Sequence, residues 1–229
     1  KVLIDTGIGY KLSDKLNKIY DVDYSKYTLE NSLGELGLSR EDITDVILTH
    51  LHFDHAGGNT IINESGELLP AFPNATYHVQ KKHYEWALNP TERDKASFFP
   101  ENYKILEEKK VLNFIEGVHK FDDVITLLPV SGHTPNMQLV KFSDGDNAII
   151  YLADLIPTAG HIPVPYIMGY DLFPLTTLNE KKKFLHDITT NDWMIAFEHD
   201  PYHEAGKVDL GDKGYFLKDQ FKLNDTLNG

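Results

Sequence analysis

Four side chains that can bind metal ions fall within six positions of this sequence, at His50, His52, Asp54 and His55. They directly follow the apolar run 46–49, which predicts a strand. In an extended chain, residues 50, 52 and 54 project to the same side. A histidine-rich surface turn is the alternative, but so many imidazoles and a carboxylate are unfavourable to assemble unless a cation binds them. The cluster therefore predicts a metal site at a strand end.

Three isolated residues of the same kinds follow later apolar runs. They are His133, Asp154 and His199. Strand ends that meet at one edge of a sheet are where α/β proteins place their chemistry. We therefore expect these three residues to complete the site.

Together, the motif His50-Leu51-His52-Phe53-Asp54-His55 and the three later residues resemble the signature of the metallo-β-lactamase superfamily. The resemblance extends from the strand that ends in Asp5-Thr6-Gly7 to His199. It implies an α/β fold, the αβ/βα sandwich of two mixed β-sheets flanked by helices. It also implies that Asp5 lies behind the histidine loop and hydrogen-bonds to it.

The same resemblance implies a ligand set for two divalent metal ions. His50, His52 and His133 would bind the first ion, Asp54, His55 and His199 the second, and Asp154 would bridge them. Nitrogen and carboxylate donors without sulfur suit zinc best, while manganese, cobalt and iron also fit.

Two such ions with Asp54, Asp154 and a bridging hydroxide would leave the site at about +1, which favours deprotonated water. Metals of this type lower the pKa of bound water from about 15.7 to about 7. The expected enzyme is thus a dinuclear hydrolase that attacks with a metal-bridging hydroxide, and Asp54 is the expected proton shuttle.

The segment after Asp154 resembles most the quorum-quenching N-acyl-homoserine lactonase branch, which opens lactone rings. Several lactonases have a carbonyl-polarising tyrosine three residues after the bridging aspartate, where this chain has Pro157. His161 and Tyr166 are the candidate substitutes. An apolar acyl part of the substrate would pack on a predicted wall of side chains, namely Ile162, Val164, Tyr166, Ile167 and Phe173.

Other reactions of the same superfamily stay open. A thioester hydrolase such as glyoxalase II would carry a basic C-terminal cluster, and no such cluster follows residue 200. A phosphodiesterase acting on RNA would need a basic face, which a net charge of −13 disfavours. A persulfide dioxygenase-like redox enzyme would bind one iron on two histidines and one aspartate.

Composition is that of a globular protein, with 229 residues, 41% hydrophobic and 25% charged. One metallo-β-lactamase-like domain over residues 1–229 is expected, with the N-terminal strands of the family missing before Lys1. The charge argues against a nucleic-acid partner, and no apolar run approaches the ~20 residues of a membrane span. The chain contains no cysteine, which excludes disulfides. The sequence leaves two questions open: whether the protein forms a homodimer, and whether it is cytoplasmic or exported.

Periodicity predicts the flanking elements. We expect strands at 43–49, 111–115, 124–128, 137–142 and 147–152, and helices at 12–20, 29–36, 80–88 and 101–110. Thr177 to Glu180 has the pattern of a capping box that starts a helix running to about Ile188. The remaining histidines are expected on the surface or on helices; they are His78, His83, His119, His186 and His203.

Overall fold

The computed structural model describes residues 1–25, 27–145 and 147–223. The chain forms two compact units, residues 1–115 and 116–229. Each unit has a hydrophobic core of its own.

The first unit is built on a four-stranded parallel sheet. Its elements are β1 (Val2–Ile4), α1 (Asp14–Tyr20), α2 (Leu29–Glu35), β2 (Asp45–Ile47), α3 (Phe53–Ala56), β3 (Thr60–Ile62), β4 (Leu68–Pro70), β5 (Thr76–Gln80), α4 (Lys81–Leu88), α5 (Lys104–Glu108) and β6 (Leu112–Ile115). The strand order is β1-β2-β5-β6, and each neighbouring pair is parallel. The central strands are apolar because both faces of a parallel sheet are covered. Val46, Ile47, Tyr77 and Val79 are accordingly buried.

The second unit is built on a seven-stranded mixed sheet. Its elements are β7 (His119–Lys120), β8 (Ile125–Val130), β9 (Met137–Asp144), β10 (Asn147–Tyr151), α6 (Pro174–Thr190), β11 (Met194–Ala196), β12 (Ala205–Gly211) and β13 (Gly214–Phe221). The order is β13-β12-β11-β10-β9-β8-β7, with β10 and β11 parallel and the other pairs antiparallel. Both sheets were expected to combine parallel and antiparallel strand pairs. Among the described strands, the second sheet does so, whereas the first sheet is parallel throughout.

Helix α6 covers the second sheet through an apolar stripe. Phe184, Leu185 and Ile188 are buried in the core of this unit, at the spacing of three to four residues that places side chains on one helix face. Among the described residues, no helix has the length and apolarity to cross a membrane.

The predicted capping box at Thr177 is wrong. Helix α6 begins four residues earlier than a Thr177 cap would place it, with Pro174 in its first turn, where the absent N–H of proline removes no helical hydrogen bond. Thr177 is therefore inside the helix and buried. The carboxylate of Glu180 accepts hydrogen bonds from the backbone N–H groups of Ser131 (2.7 Å) and Gly132 (2.9 Å) instead of capping the helix.

Candidate metal centre

The histidine motif lies in the turn between β2 and α3 of the first unit. His50 and His52 belong to the irregular segment that follows the strand, and Asp54 and His55 to the short helix. His50 and His55 are fully buried, whereas the side chain of Asp54 is 36% exposed. The motif thus presents imidazoles from inside the unit and one carboxylate toward solvent.

His50 and His52 converge through their ring nitrogens. His50 Nε2 lies 3.1 Å from His52 Nδ1. Two donors on one tetrahedral zinc, each about 2.05 Å from the metal, are separated by about 3.3 Å. The pair therefore has the spacing of two ligands of one ion.

Asp5 anchors this loop from behind, as predicted. Its carboxylate accepts hydrogen bonds from the backbone N–H and the hydroxyl of Thr49, both at 2.7 Å, and lies 3.2 Å from His55 Nδ1. The Thr49 hydroxyl also contacts His50 Nδ1 at 3.0 Å. Because these contacts hold Nδ1 of His50 and of His55, Nε2 is the ring nitrogen that is oriented to bind a metal ion.

His133 follows β8 in the second unit and is oriented by a second carboxylate. Its Nδ1 lies 2.9 Å from Asp171 Oδ1, and both side chains are buried. Its Nε2 lies 3.1 Å from Asp154 Oδ2. His133 thus has the arrangement typical of metal-binding histidines, one nitrogen on a carboxylate and the other at the site.

Asp154 presents its two oxygens to two different imidazoles. Oδ2 faces His133, and Oδ1 lies 3.2 Å from His199 Nε2. The preceding Ala153 has a φ of 43°, a left-handed conformation that is strained for alanine. The carboxylate of Asp154 thus lies between the two rings, directly after a strained residue.

Glu198 is a further carboxylate in this group. Asp154, Glu198 and His199 each offer a ligand atom within 4.8 Å of the other two. The residue follows β11 and directly precedes His199. Glu198 belongs to none of the sequence motifs described above.

The donor set fits a divalent cation. Within each unit the candidate ligands are imidazole nitrogens and carboxylate oxygens, and the orienting partners on His55 and His133 are carboxylates. This chemistry suits zinc, manganese or iron. The structure brings His50 and His52 together in the first unit, and His133, Asp154 and His199 in the second; Asp54 Oδ2 lies 3.8 Å from His55 Nε2.

The two candidate carbonyl-polarising residues differ in their surroundings. His161 is half-buried, and its Nδ1 lies 2.8 Å from the Thr158 hydroxyl. Burial lowers the pKa of His161, the nearby Lys181 ammonium lowers it further, and the carboxylates of Asp171 and Asp154 oppose this. The neutral imidazole is therefore favoured at neutral pH.

Tyr166 is 60% exposed and lines a groove of about 690 Å³ with residues 163–165 and 211–216, none of which is a candidate ligand. The predicted apolar wall is also wrong at Ile162. That side chain is fully buried in the core of its unit, so no substrate can pack on it.

Two residues that support the site were missed by the sequence analysis. Asp171 lies in a proline-containing segment whose spacing to His133 carries no signal. His83, expected on the surface or on a helix, is on α4 but fully buried, and its Nε2 accepts a hydrogen bond of 2.8 Å from the N–H of Leu51, between two candidate ligands. His78 is likewise buried, 2.9 Å from Asp45 Oδ1.

Known proteins resemble this chain in sequence and structure. Residues 1–199 match the family model of the metallo-beta-lactamase superfamily. The N-acyl homoserine lactonase AiiA of Bacillus thuringiensis subsp. kurstaki is 31% identical over 174 residues, a match that covers 74% of this chain and 61% of that protein. The chain thus spans about three fifths of the length of this relative.

Solved structures with a similar fold include two hydrolases. A probable metal-dependent hydrolase from Staphylococcus aureus superposes with a TM-score of 0.82 at 25% identity, covering 96% of this chain and 79% of that one. An N-acyl homoserine lactone hydrolase, with the product N-hexanoyl-L-homoserine bound at its catalytic metal centre, superposes with a TM-score of 0.64 at 25% identity, covering 87% and 76%.

Proposed function

Because the chain belongs to the metallo-β-lactamase superfamily, we propose that it is a metal-dependent hydrolase that opens lactone rings, with N-acyl homoserine lactones as the substrate class. The relative AiiA is an N-acyl homoserine lactonase, which supports this choice of bond.

The proposed ligand assignment follows the family pattern. His50, His52 and His133 would bind one divalent ion, and Asp54, His55 and His199 would bind the other. Asp154 would contribute to both positions, and zinc is the proposed metal. The observation that carries this assignment is the pair of distances of 3.1 Å and 3.2 Å from the two oxygens of Asp154 to His133 and His199.

When bound, the two ions would supply a Lewis acid for the lactone carbonyl and would lower the pKa of bound water to about 7. Asp54 is the proposed group that accepts a proton and returns it to the leaving alkoxide. Its partial exposure allows the exchange with solvent that a proton shuttle needs.

His161 is the proposed partner of the substrate carbonyl, in preference to Tyr166. A neutral imidazole can donate one N–H to an oxygen, and the contact of Nδ1 with Thr158 leaves Nε2 for that role. Two of the carboxylates that influence its pKa are Asp154 and Asp171, which supports a location close to the second-unit ligands.

An aromatic cluster of the first unit supports an apolar acyl part in the substrate. Phe53, between His52 and Asp54 in the motif, lies 4.8 Å from the Tyr20 ring and 5.1 Å from the Phe99 ring, measured between centroids. All three side chains retain solvent exposure. Apolar surface beside a few polar groups is the usual form of a small-molecule site.

A hydrolysis panel tests the proposal. Metal-loaded protein is offered N-acyl homoserine lactones, aryl esters, thioesters and phosphodiesters, and the lactones are expected to be hydrolysed fastest. Turnover of the phosphodiester or thioester alone would contradict the lactonase assignment.

Two variants and a metal analysis complete this test. Asp154→Ala is expected to abolish turnover of every substrate, whereas His186→Gln, on the exposed face of α6, is expected to leave it unchanged. Elemental analysis should give two zinc equivalents per chain. One iron per chain would instead favour the redox enzyme.

A further inference from the structure

The segment that carries Glu198 and His199 is held at both ends by backbone hydrogen bonds. The N–H of Phe197 donates to the carbonyl of Glu204 at 3.0 Å, and the N–H of His199 donates to the carbonyl of Pro157 at 3.1 Å. Pro157 lies three residues after Asp154 in sequence. The backbone is therefore anchored on both sides of Glu198, and on one side to the segment that follows Asp154.

The carboxylate of Glu198 is directed inward. Its Oε2 is buried, and one of its oxygens lies within 4.8 Å of ligand atoms of both Asp154 and His199. Two carboxylates at this distance repel each other unless a proton or a cation lies near both. The imidazole of His199, in the same group, is a nitrogen donor that a cation can share with them.

We propose that Glu198 is an additional ligand of the metal ion bound by His199, and that it increases the affinity of this position for a hard ion such as Mn²⁺. The inference rests on the proposed function for the presence of a metal at His199, and it extends the ligand set.

The two metal positions would then differ in donor type. The histidine-rich position has three imidazoles and one oxygen of Asp154, a set suited to zinc. The other would combine two imidazoles with the carboxylates of Asp54, Asp154 and Glu198. Because carboxylate oxygens are better ligands for manganese than imidazole nitrogens are, the second position would bind Mn²⁺ more tightly than the histidine-rich one.

The added negative charge of Glu198 also affects how strongly the reaction product binds. With Glu198 ionised, the net charge of the metal-loaded site falls from about +1 to about zero. Carboxylate-containing products are then held less strongly than at a positively charged site. Replacing Glu198 with the uncharged, nearly isosteric glutamine should therefore strengthen product inhibition.

Metal titration of Glu198→Gln tests the proposal without using activity. Metal-free protein receives one equivalent of zinc to fill the histidine-rich position and is then titrated with Mn²⁺, and the free Mn²⁺ is quantified by electron paramagnetic resonance. The Mn²⁺ dissociation constant is expected to rise at least tenfold in Glu198→Gln. Glu85→Gln, which changes an exposed carboxylate on α4, should match the unmodified protein.

Cobalt provides an independent readout of coordination. In protein with Co²⁺ at the second position, the loss of one oxygen ligand in Glu198→Gln should increase the visible absorption, because lower coordination numbers absorb more strongly. Equal Mn²⁺ affinities and equal cobalt spectra in the two proteins would overturn the role of Glu198 while leaving the proposed hydrolase intact. An unmodified chain that binds no divalent metal would overturn the proposed function itself.

Discussion

Individual imidazoles of this chain are oriented through their Nδ1 atoms. Each of three candidate ligands has an oxygen close to this nitrogen: Thr49 for His50, Asp5 for His55 and Asp171 for His133. A carboxylate on Nδ1 selects the tautomer with the proton on that atom and increases the basicity of Nε2. The supporting residues thus determine which nitrogen meets a metal.

Asp171→Asn is expected to weaken metal binding. An amide is a poorer partner for His133 Nδ1–H than a carboxylate, and losses of such partners lower metal affinity by about 10–100-fold. Competition with a chromogenic chelator measures the change. Asp212→Asn, an exposed carboxylate between β12 and β13, is the control. Equal affinities in Asp171→Asn and the control would contradict the role given to Asp171.

The ligands and their supports differ in how far they could be predicted from sequence. His50, His52 and Asp54 stand in a short motif, and the isolated candidates follow apolar runs, so local pattern was enough to identify them as candidate ligands. Asp171 and His83 act through contacts to residues 38 and 32 positions away. No local spacing encodes such a contact, and tertiary structure alone brings the groups together.

Among the elements, α6 supports the segment that carries His133. Glu180 accepts hydrogen bonds from the N–H groups of Ser131 and Gly132, and the carbonyl of Gly132 accepts one of 2.9 Å from the N–H of Phe173, just before the helix. The loop and the first turns of α6 thus form one hydrogen-bonded assembly.

Gly132→Ala is expected to disturb this assembly. A Cβ at position 132 would lie 2.5 Å from Thr177 Cα, so the loop or the helix must shift. Overpacking of this kind costs about 1–3 kcal/mol of unfolding free energy, and it should also weaken metal binding through His133. Urea denaturation and chelator competition measure the two effects.

Gly34→Ala is the matched control for that substitution. Nothing lies within 4 Å of a Cβ at position 34 in helix α2, so alanine should stabilise the protein by about 0.5–1 kcal/mol. A Gly132→Ala variant as stable as this control would contradict the close packing described for the loop.

Lys181, on the same helix, predicts a pH effect. Its side chain is fully buried, its Nζ donates hydrogen bonds to the carbonyls of Pro163 (2.9 Å) and Tyr166 (2.6 Å), and burial lowers its pKa from 10.5 to about 8. Above pH 8 the folded state loses this proton, while the unfolded state keeps it up to about pH 10.5. The unfolded state then binds more protons, so the contribution of Lys181 to stability rises with pH across this window.

Comparison with Lys181→Met isolates this effect from other titrating groups. Between pH 8 and 10.5, the unmodified protein should gain up to about 3 kcal/mol of unfolding free energy relative to the variant, at about 1.36 kcal/mol per pKa unit. Urea denaturation at both pH values provides the measurement. A pH-independent difference would show that the burial does not alter the protonation of Lys181.

Sequence periodicity predicted the positions of most elements well and their ends less well. The strand expected at 147–152 is observed at Asn147–Tyr151, and the helix expected at 80–88 at Lys81–Leu88. The helix expected at 101–110 is shorter, Lys104–Glu108, and follows a 3₁₀ turn at Pro100–Asn102. The start of α6 was misplaced because Glu180, which reads locally as a capping residue, binds a distant loop.

For the whole molecule, metal binding should contribute to stability. A ligand that binds the folded state alone adds about 4 kcal/mol at a concentration 1,000 times its dissociation constant. Treatment with EDTA is therefore expected to lower the urea midpoint, and excess Zn²⁺ should restore it. Asp154→Ala should show a smaller response, and an unmodified protein indifferent to EDTA would contradict the metal assignment.

The strand order of the second sheet affects how this part of the chain folds during its synthesis. From β7 to β13, each strand pairs with the one that precedes it in sequence, and the link between β10 and β11, which contains α6, is the longest connection. Such near-neighbour pairing favours rapid folding. During synthesis, each strand emerging from the ribosome finds its partner already present, so few strand edges stay exposed to aggregation while the rest of the polypeptide is translated.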